Sequence, residues 1–253
     1  KKWQSELFSS ELWFEYPKHY VNKINNDINV CILSPFNYNF STIALGHLSI
    51  YHFINRDSTC PAISDRVFAY DLLLDNNFTL KTNLSIDEPL TSFERQIPLN
   101  EFDLICISIT TPENILTILD LLRLGGIPIN CSERKNKGYP IILAGGPGCS
   151  NPEPFSDFFD VFCIGDGCEA VSEIIKALSI MKYEKSEISC VNLFKKVKQI
   201  KGLYFPSFYR IKFDGHKIKS ILPLYSAPAH ILKAKDKENV YTQSSYFSDG
   251  KTA

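Results

Sequence analysis

The chain has 253 residues, 44% of them apolar and 22% charged, a composition that builds a globular core without disulfide staples. Its 27 basic and 28 acidic side chains leave a net charge of −1, so no global field gathers nucleic acid or anionic membrane. No apolar run is long enough for a transmembrane helix, and Lys1-Lys2-Trp3-Gln4 opens no signal-peptide core, so a cytoplasmic protein is expected.

Trp3, Leu7, Leu12 and Trp13 predict an amphipathic arm over residues 1–26. Ile28-Asn29-Val30-Cys31-Ile32-Leu33 is a short apolar run of buried-strand character, stopped by Ser34-Pro35. A loop bearing Phe36, Tyr38 and Phe40 leads to Ala44-Leu45-Gly46, which opens a helix carrying Leu48, Tyr51, Phe53 and Ile54. Arg66 to Tyr70 reads as a second strand and Asp103 to Thr110 as a third. Thr111-Pro112-Glu113-Asn114 is a helix-start signal, and that helix stops at Gly125-Gly126. Tyr139 to Ala144 and Asp160 to Ile164 are the fourth and fifth strands, followed by an amphipathic helix from Glu169 to Leu178.

Five apolar strands alternating with helices predict an α/β fold with a doubly wound, mostly parallel five-stranded sheet of flavodoxin or Rossmann type. That domain is assigned to residues 27–190. Residues 191–253 are read as a helix over Asn192 to Ile200, a β-hairpin extension turning at Asp214-Gly215, and a linker. The missing initial Met and the open close at Ser248–Ala253 lead us to expect an excised piece of something longer.

Eight cysteines stand at 31, 60, 106, 131, 149, 163, 168 and 190 without a Cys-x-x-Cys pair, so neither a zinc ribbon nor an iron–sulfur cluster is expected in this chain. Free, reduced thiols inside apolar runs fit a reducing compartment better.

In a doubly wound sheet, ligands bind beyond the carboxyl ends of the strands. Four loops would meet there: Ser34 to Gly46, Ser108 to Asn114, Ala144 to Asn151, and Gly165 to Glu169. Neither glycine-rich loop is a Walker sequence or a Gly-x-Gly-x-x-Gly fingerprint, and no Gly-x-Ser-x-Gly elbow occurs. A binding edge is therefore expected, with no self-contained catalytic apparatus and no metal ligands.

Three stretches, Ile105-Cys106-Ile107-Ser108-Ile109-Thr110, Ile142-Leu143-Ala144-Gly145-Gly146-Pro147 and Asp160 through Glu169, follow the Pro35 loop and the Leu45-Gly46 helix start. With Asn151-Pro152-Glu153-Pro154, Tyr16-Pro17-Lys18-His19-Tyr20 and Gly202 to Tyr209, this order resembles the N-terminal cobalamin-binding-type domain of a branch of radical S-adenosylmethionine (radical SAM) proteins, over about residues 16–250. The resemblance implies a corrin over the carboxyl edge, its tail threading between strands and helices. Gly145, Gly146 and Pro147 would contact tail or ring, Gly165, Asp166, Gly167 and Glu169 would line the next loop, Ser108, Thr110 and Thr111 would hydrogen-bond corrin amides, and Leu45 and Gly46 would lie under the ring. It further implies a 4Fe–4S cluster and S-adenosylmethionine in a barrel of the same parent chain, as partner, with methyl transfer as one reaction.

The sequence departs from an Asp-x-His-x-x-Gly axial-imidazole motif: Asp214-Gly215-His216 begins one, but Lys219 ends it inside a hairpin turn. His47 and His52 are expected to be surface or satisfied helix histidines. The alternative is the same fold as a cofactor-free interaction or substrate-holding module, its ring space filled by Phe36, Tyr38 and Phe40. Lys195, Lys196, Lys198, Lys201, Arg210, Lys212, Lys217 and Lys219 form a basic patch read as a solvated face rather than an RNA site, and neither membrane nor nucleic acid is expected as a partner.

Overall fold

A computed structural model describes residues 28–41, 44–57, 59–69, 89–135 and 137–236. The expected arm over 1–26, the Tyr70 end of the second predicted strand and the tail beyond 236 lie outside the described residues.

Six strands form the main sheet: β1 (Ile28–Ser34), β2 (Ala62–Phe68), β3 (Leu104–Ser108), β4 (Ile141–Gly145), β5 (Val161–Cys163) and β6 (Leu203–Tyr204). Their order is β2-β1-β3-β4-β5-β6, with β1 to β5 parallel and β6 antiparallel to β5. The fold is α/β, as the strand–helix alternation predicts. The longer helices are α1 (Leu45–Arg56), α2 (Asn114–Leu124), α3 (Cys168–Tyr183) and α4 (Cys190–Val197), beside single helical turns at Tyr38–Ser41 and Cys131–Arg134. Strands β7 (Tyr209–Asp214) and β8 (Lys217–Pro223) make the separate antiparallel hairpin.

Alternation along each strand sends successive side chains to opposite layers. Val30, Ile32, Cys106 and Leu143 pack with Tyr51 and Ile54 of α1, Ile174 and Leu178 of α3, and Leu193 of α4. Cys31, Leu33, Ile105 and Ile142 pack instead with Ile118, Leu121 and Leu122 of α2. The two layers bury both faces, which is why these strands read as continuous apolar runs. No cysteine is disulfide-bonded, and all but Cys131 and Cys190 are buried.

Two elements differ from the sequence expectation. The Leu203 to Ile211 run is not one hairpin strand. Pro206 opens a short 3-10 turn (Pro206–Phe208) that splits it, so Leu203–Tyr204 joins the main sheet and Tyr209 begins the hairpin. Strand β2 begins four residues before Arg66, because the charged pair Asp65-Arg66 sits inside it, buried and paired. Glu94 accepts the Arg66 amide at 2.6 Å and its Nε at 2.7 Å, while Asp65 accepts Ser92 Oγ and Arg95 Nε, both at 2.7 Å. The Arg66 guanidinium lies 4.5 Å from the Tyr51 ring centroid and 5.5 Å from that of Phe68. Beside it, the Asn55 amide of α1 both donates to Ser64 O (3.1 Å) and accepts Ser64 N (2.9 Å).

Candidate functional site

The chain leaves β1 for β2 on one side and returns to β3 on the other, so the switch of strand order falls between β1 and β3. A cleft of about 190 Å³ opens there, at the carboxyl ends of β1, β3, β4 and β5. Its floor and walls are apolar (Ile32, Ile50, Cys106, Leu143 and Val171), and it runs down between the sheet and helices α1 and α3.

Seven of the residues expected at the site meet around this cleft: Gly46, Ser108, Gly145, Gly146, Gly165, Asp166 and Gly167. The other five stand outside its lining. Leu45 is 58% exposed, and Thr110, Thr111 and Pro147 are exposed as well. The amides of Thr110 and Thr111 donate to Asn114 Oδ1, and this closed turn delays the start of α2 to Asn114. Glu169 belongs to the first turn of α3.

Two of the glycines are required by packing. Gly146 has φ +98°, and a Cβ there would stand 2.7 Å from the Ile109 carbonyl oxygen. Gly165 has φ +114°, and a Cβ there would strike the backbone of Ala234, which pairs with it in a parallel bridge. Gly46 differs, since a Cβ would meet nothing within 4 Å. It marks the open side of the cleft.

The histidine on this wall departs from the expectation. His47 is 2% exposed, and neither ring nitrogen has a hydrogen-bond partner. Burial, with a smaller push from the Arg66 charge, lowers its pKa from 6.5 to about 3, so the imidazole is neutral. Ser49 Oγ on the same wall is likewise buried without a partner. Sequence reading expected a surface or satisfied His47 and passed over Ser49, although His47 shares the inward helical stripe of Tyr51 and Ile54 at spacings of four and seven. His52 is half-buried with its ring edge-on to Tyr51, the centroids 5.4 Å apart. The aromatic loop does not fill the cleft: Tyr38 packs on Phe68 and Phe93 at 5.4 and 5.7 Å, and Phe40 is 56% exposed.

Two thiols facing the cleft, Cys106 and Cys163, are held protonated. Burial raises Cys106 well above the usual thiol range and pushes Cys163 up to about 12. No group of three or more metal-ligating side chains occurs among the described residues. A neutral imidazole, two hydroxyls and protonated thiols suit hydrogen bonding to a ligand more than acid–base or nucleophilic chemistry.

One part of the expected edge is already occupied by the chain itself. Asp236 accepts the amides of Cys168 and Glu169 at 3.0 Å each, which fills the anion position at the start of α3. The Asn151-Pro152-Glu153-Pro154 stretch proves to be a brace: the Tyr204 hydroxyl of β6 donates to Glu153, fastening the edge strand.

No curated protein and no solved structure matches the chain. Residues 46–206, from the open wall of the cleft through β6, match the family described as radical SAM proteins, N-terminal. That family implies a 4Fe–4S cluster and S-adenosylmethionine in the parent protein. The match takes in more than half of the chain, and the chain belongs to this family of radical SAM N-terminal domains.

Proposed function

We propose that the cleft holds the ring-bearing tail of a cobalamin, in the service of a radical SAM enzyme and its methyl-transfer chemistry. The observation that carries this reading is an apolar slot at the switch point whose wall holds two unsatisfied polar groups, His47 and Ser49. A buried polar group without a partner costs about 1–3 kcal/mol, a cost that a ligand in the slot would remove. The fit holds for the tail. About 190 Å³ admits a ring system of benzimidazole size, so a corrin would stay outside the slot. Gly46, Ser108, Gly145 and Gly146 would lie against the group, with His47 and Ser49 as hydrogen-bonding partners. Bound cobalamin would supply a transferable methyl group.

The chain's own residues then bind and orient, and proton transfer is not among their tasks. The 4Fe–4S cluster and S-adenosylmethionine would act in a barrel of the parent protein. We assign the docking of that barrel to the hairpin, where Phe213, Ile218, Ile221 and Leu222 are 40–63% exposed on a two-stranded unit that needs packing for stability. Eight free cysteines support a reducing, cytoplasmic setting.

A second reading, a cofactor-free module that holds substrate or packs on the barrel, draws on the Ala234 bridge and the Asp236 cap, which close one rim of the cleft. A visible-absorption titration with hydroxocobalamin and methylcobalamin separates the two. Saturable binding that weakens in Ser49→Val and His47→Phe supports the cofactor site. No spectral change at concentrations on the order of 100 μM favours the module.

A further inference from the structure

A larger cavity lies at the opposite end of the strands. It has a volume of about 570 Å³, three times that of the cleft, and sits where β4 begins, between α4 and the turn that leaves the hairpin. That size falls in the range of cavities that enclose small organic ligands, about 300–1,000 Å³.

Its charge is one-sided. Lys135, Lys195 and Lys198 line it, and none of them forms an ion pair among the described residues. The one acid in the lining, Asp160, is engaged by Arg134 at 3.1 Å and by the Ile142 amide at 2.9 Å. Arg134 is itself buried, and its Nε has no hydrogen-bond partner. Three ammonium groups and the Arg134 guanidinium face a single carboxylate, Asp160, which also feels the Lys135 charge, so the concave wall keeps a net positive potential. Its nearest thiol, Cys190, is pushed up to about 12 by burial and adds no negative charge.

The uncharged wall mixes aliphatic residues (Ile141, Ile188 and Val191) with four aromatic ones, Tyr139, Phe194, Phe208 and Tyr225. Phe194 and Phe208 stack at 3.8 Å and 15°, and Tyr225 stands edge-on to Phe208 at 6.0 Å. Tyr225 is 78% exposed and is held at φ 51°, next to Ser226 at φ 62°. Two successive non-glycine residues in the left-handed region are strained, and here the strain presents an open ring at the cavity rim. Val191, Phe194 and Lys195 of α4 and its C-cap Lys198 follow one helical stripe, which sets the two lysines beside the buried Phe194–Phe208 stack and leaves Tyr225 as the accessible ring.

We propose that this cavity is a second ligand site, for a nucleoside phosphate whose phosphates meet Lys135 and Lys198 and whose base stacks on the Tyr225 side. The site is separate from the cleft and independent of the cobalamin reading. A concave pocket of this size suits a mononucleotide better than a strand of nucleic acid. Of the other lysines nearby, Lys196 is engaged by Glu184 at 3.1 Å.

Calorimetric titration of the full chain with ADP, inorganic pyrophosphate and adenosine tests the assignment. ADP is expected to bind in the micromolar range, with pyrophosphate and adenosine each about ten-fold weaker or more. Lys135→Gln with Lys198→Gln should weaken ADP and pyrophosphate about ten-fold. Tyr225→Asn, which tolerates the left-handed backbone, should weaken ADP and adenosine and spare pyrophosphate. Ser49→Val, in the cleft, should change none of them. None of the three substituted cavity residues is buried, so unchanged melting is the expected control. No ADP binding at about 1 mM, or an affinity unchanged in the double lysine variant, overturns the site. An RNA oligonucleotide that binds and is not displaced by ADP overturns it equally, in favour of a polymer surface.

Discussion

The carboxylate of Asp236 lies 3.0 Å from the amide of Cys168, across 68 residues of sequence. Its other oxygen takes the Glu169 amide, so one side chain from the end of the described chain caps α3 as a local Ser or Asp normally would. Gly167, the residue before the helix, has no side chain to do so. Asp236→Ala should cost about 1 kcal/mol in urea denaturation. It should also free an anion seat, so sulfate would raise the melting temperature of the variant more than that of the wild type.

His47 makes stability depend on pH in one direction. Its folded pKa is about 3 against 6.5 for the free side chain, so below pH 6.5 the unfolded state binds the extra proton. Its share of stability is full above pH 6.5 and is lost as pH falls towards 3, by roughly 3 kcal/mol at pH 4.5. Burial raises Glu94 and Asp160 and gives them the opposite sense. The informative quantity is therefore the difference in slope between wild type and His47→Leu, measured by denaturation from about pH 7 to pH 4.5. Equal slopes would mean that His47 finds a partner in solution.

The two glycines flanking the cleft should respond in opposite directions. Gly146→Ala places a methyl against the Ile109 carbonyl at φ +98°, and a loss of about 3 kcal/mol is expected. Gly46→Ala meets nothing within 4 Å and replaces a helical glycine, which should stabilise by about 0.5 kcal/mol. If the cleft binds cobalamin, the same methyl at its open side should weaken that binding without harming the fold. Chemical denaturation beside the absorption titration reads both effects.

Arg66 and Glu94 form a pair whose side chains are only 3% and 1% exposed. Arg66→Met removes the partner of a buried carboxylate and should cost about 3–5 kcal/mol. Glu94→Gln keeps an acceptor for the Arg66 amide and leaves the guanidinium against the Tyr51 ring, so roughly half that loss is expected. The Arg66→Met penalty should shrink at about pH 5, where Glu94 is more readily protonated, since burial already raises its pKa. A penalty equal at pH 5 and pH 8 would count against that assignment of charge.

The sheet was legible because parallel strands buried on both faces leave unbroken apolar runs such as Ile105-Cys106-Ile107. What escaped is what long-range partners decide. The start of β2 was hidden by Asp65 and Arg66, whose charges are neutralised by a segment almost thirty residues away. The glycine loops were visible, but their cause was not: Gly146 answers to Ile109 and Gly165 to Ala234, close approaches that no local pattern encodes. Thr110 and Thr111 seemed suited to a ligand, yet Asn114 claims their amides and the turn points them outward. His47 lay in plain view on the inward stripe of α1, where its type suggested a surface more than a wall.

The Asn55 amide, held in register with Ser64, acts as a one-residue surrogate strand on the outer side of β2. Glu94 and Phe93 do the same one step further on, taking the Arg66 amide and donating to its carbonyl at 2.7 Å. The backbone groups that a foreign strand would use as a template are thus engaged at two central outward-facing positions, Ser64 and Arg66. At the far edge, β6 offers only two residues. Edge-to-edge pairing of the main sheet is thus limited on both sides, while its working edge remains open along the strand ends.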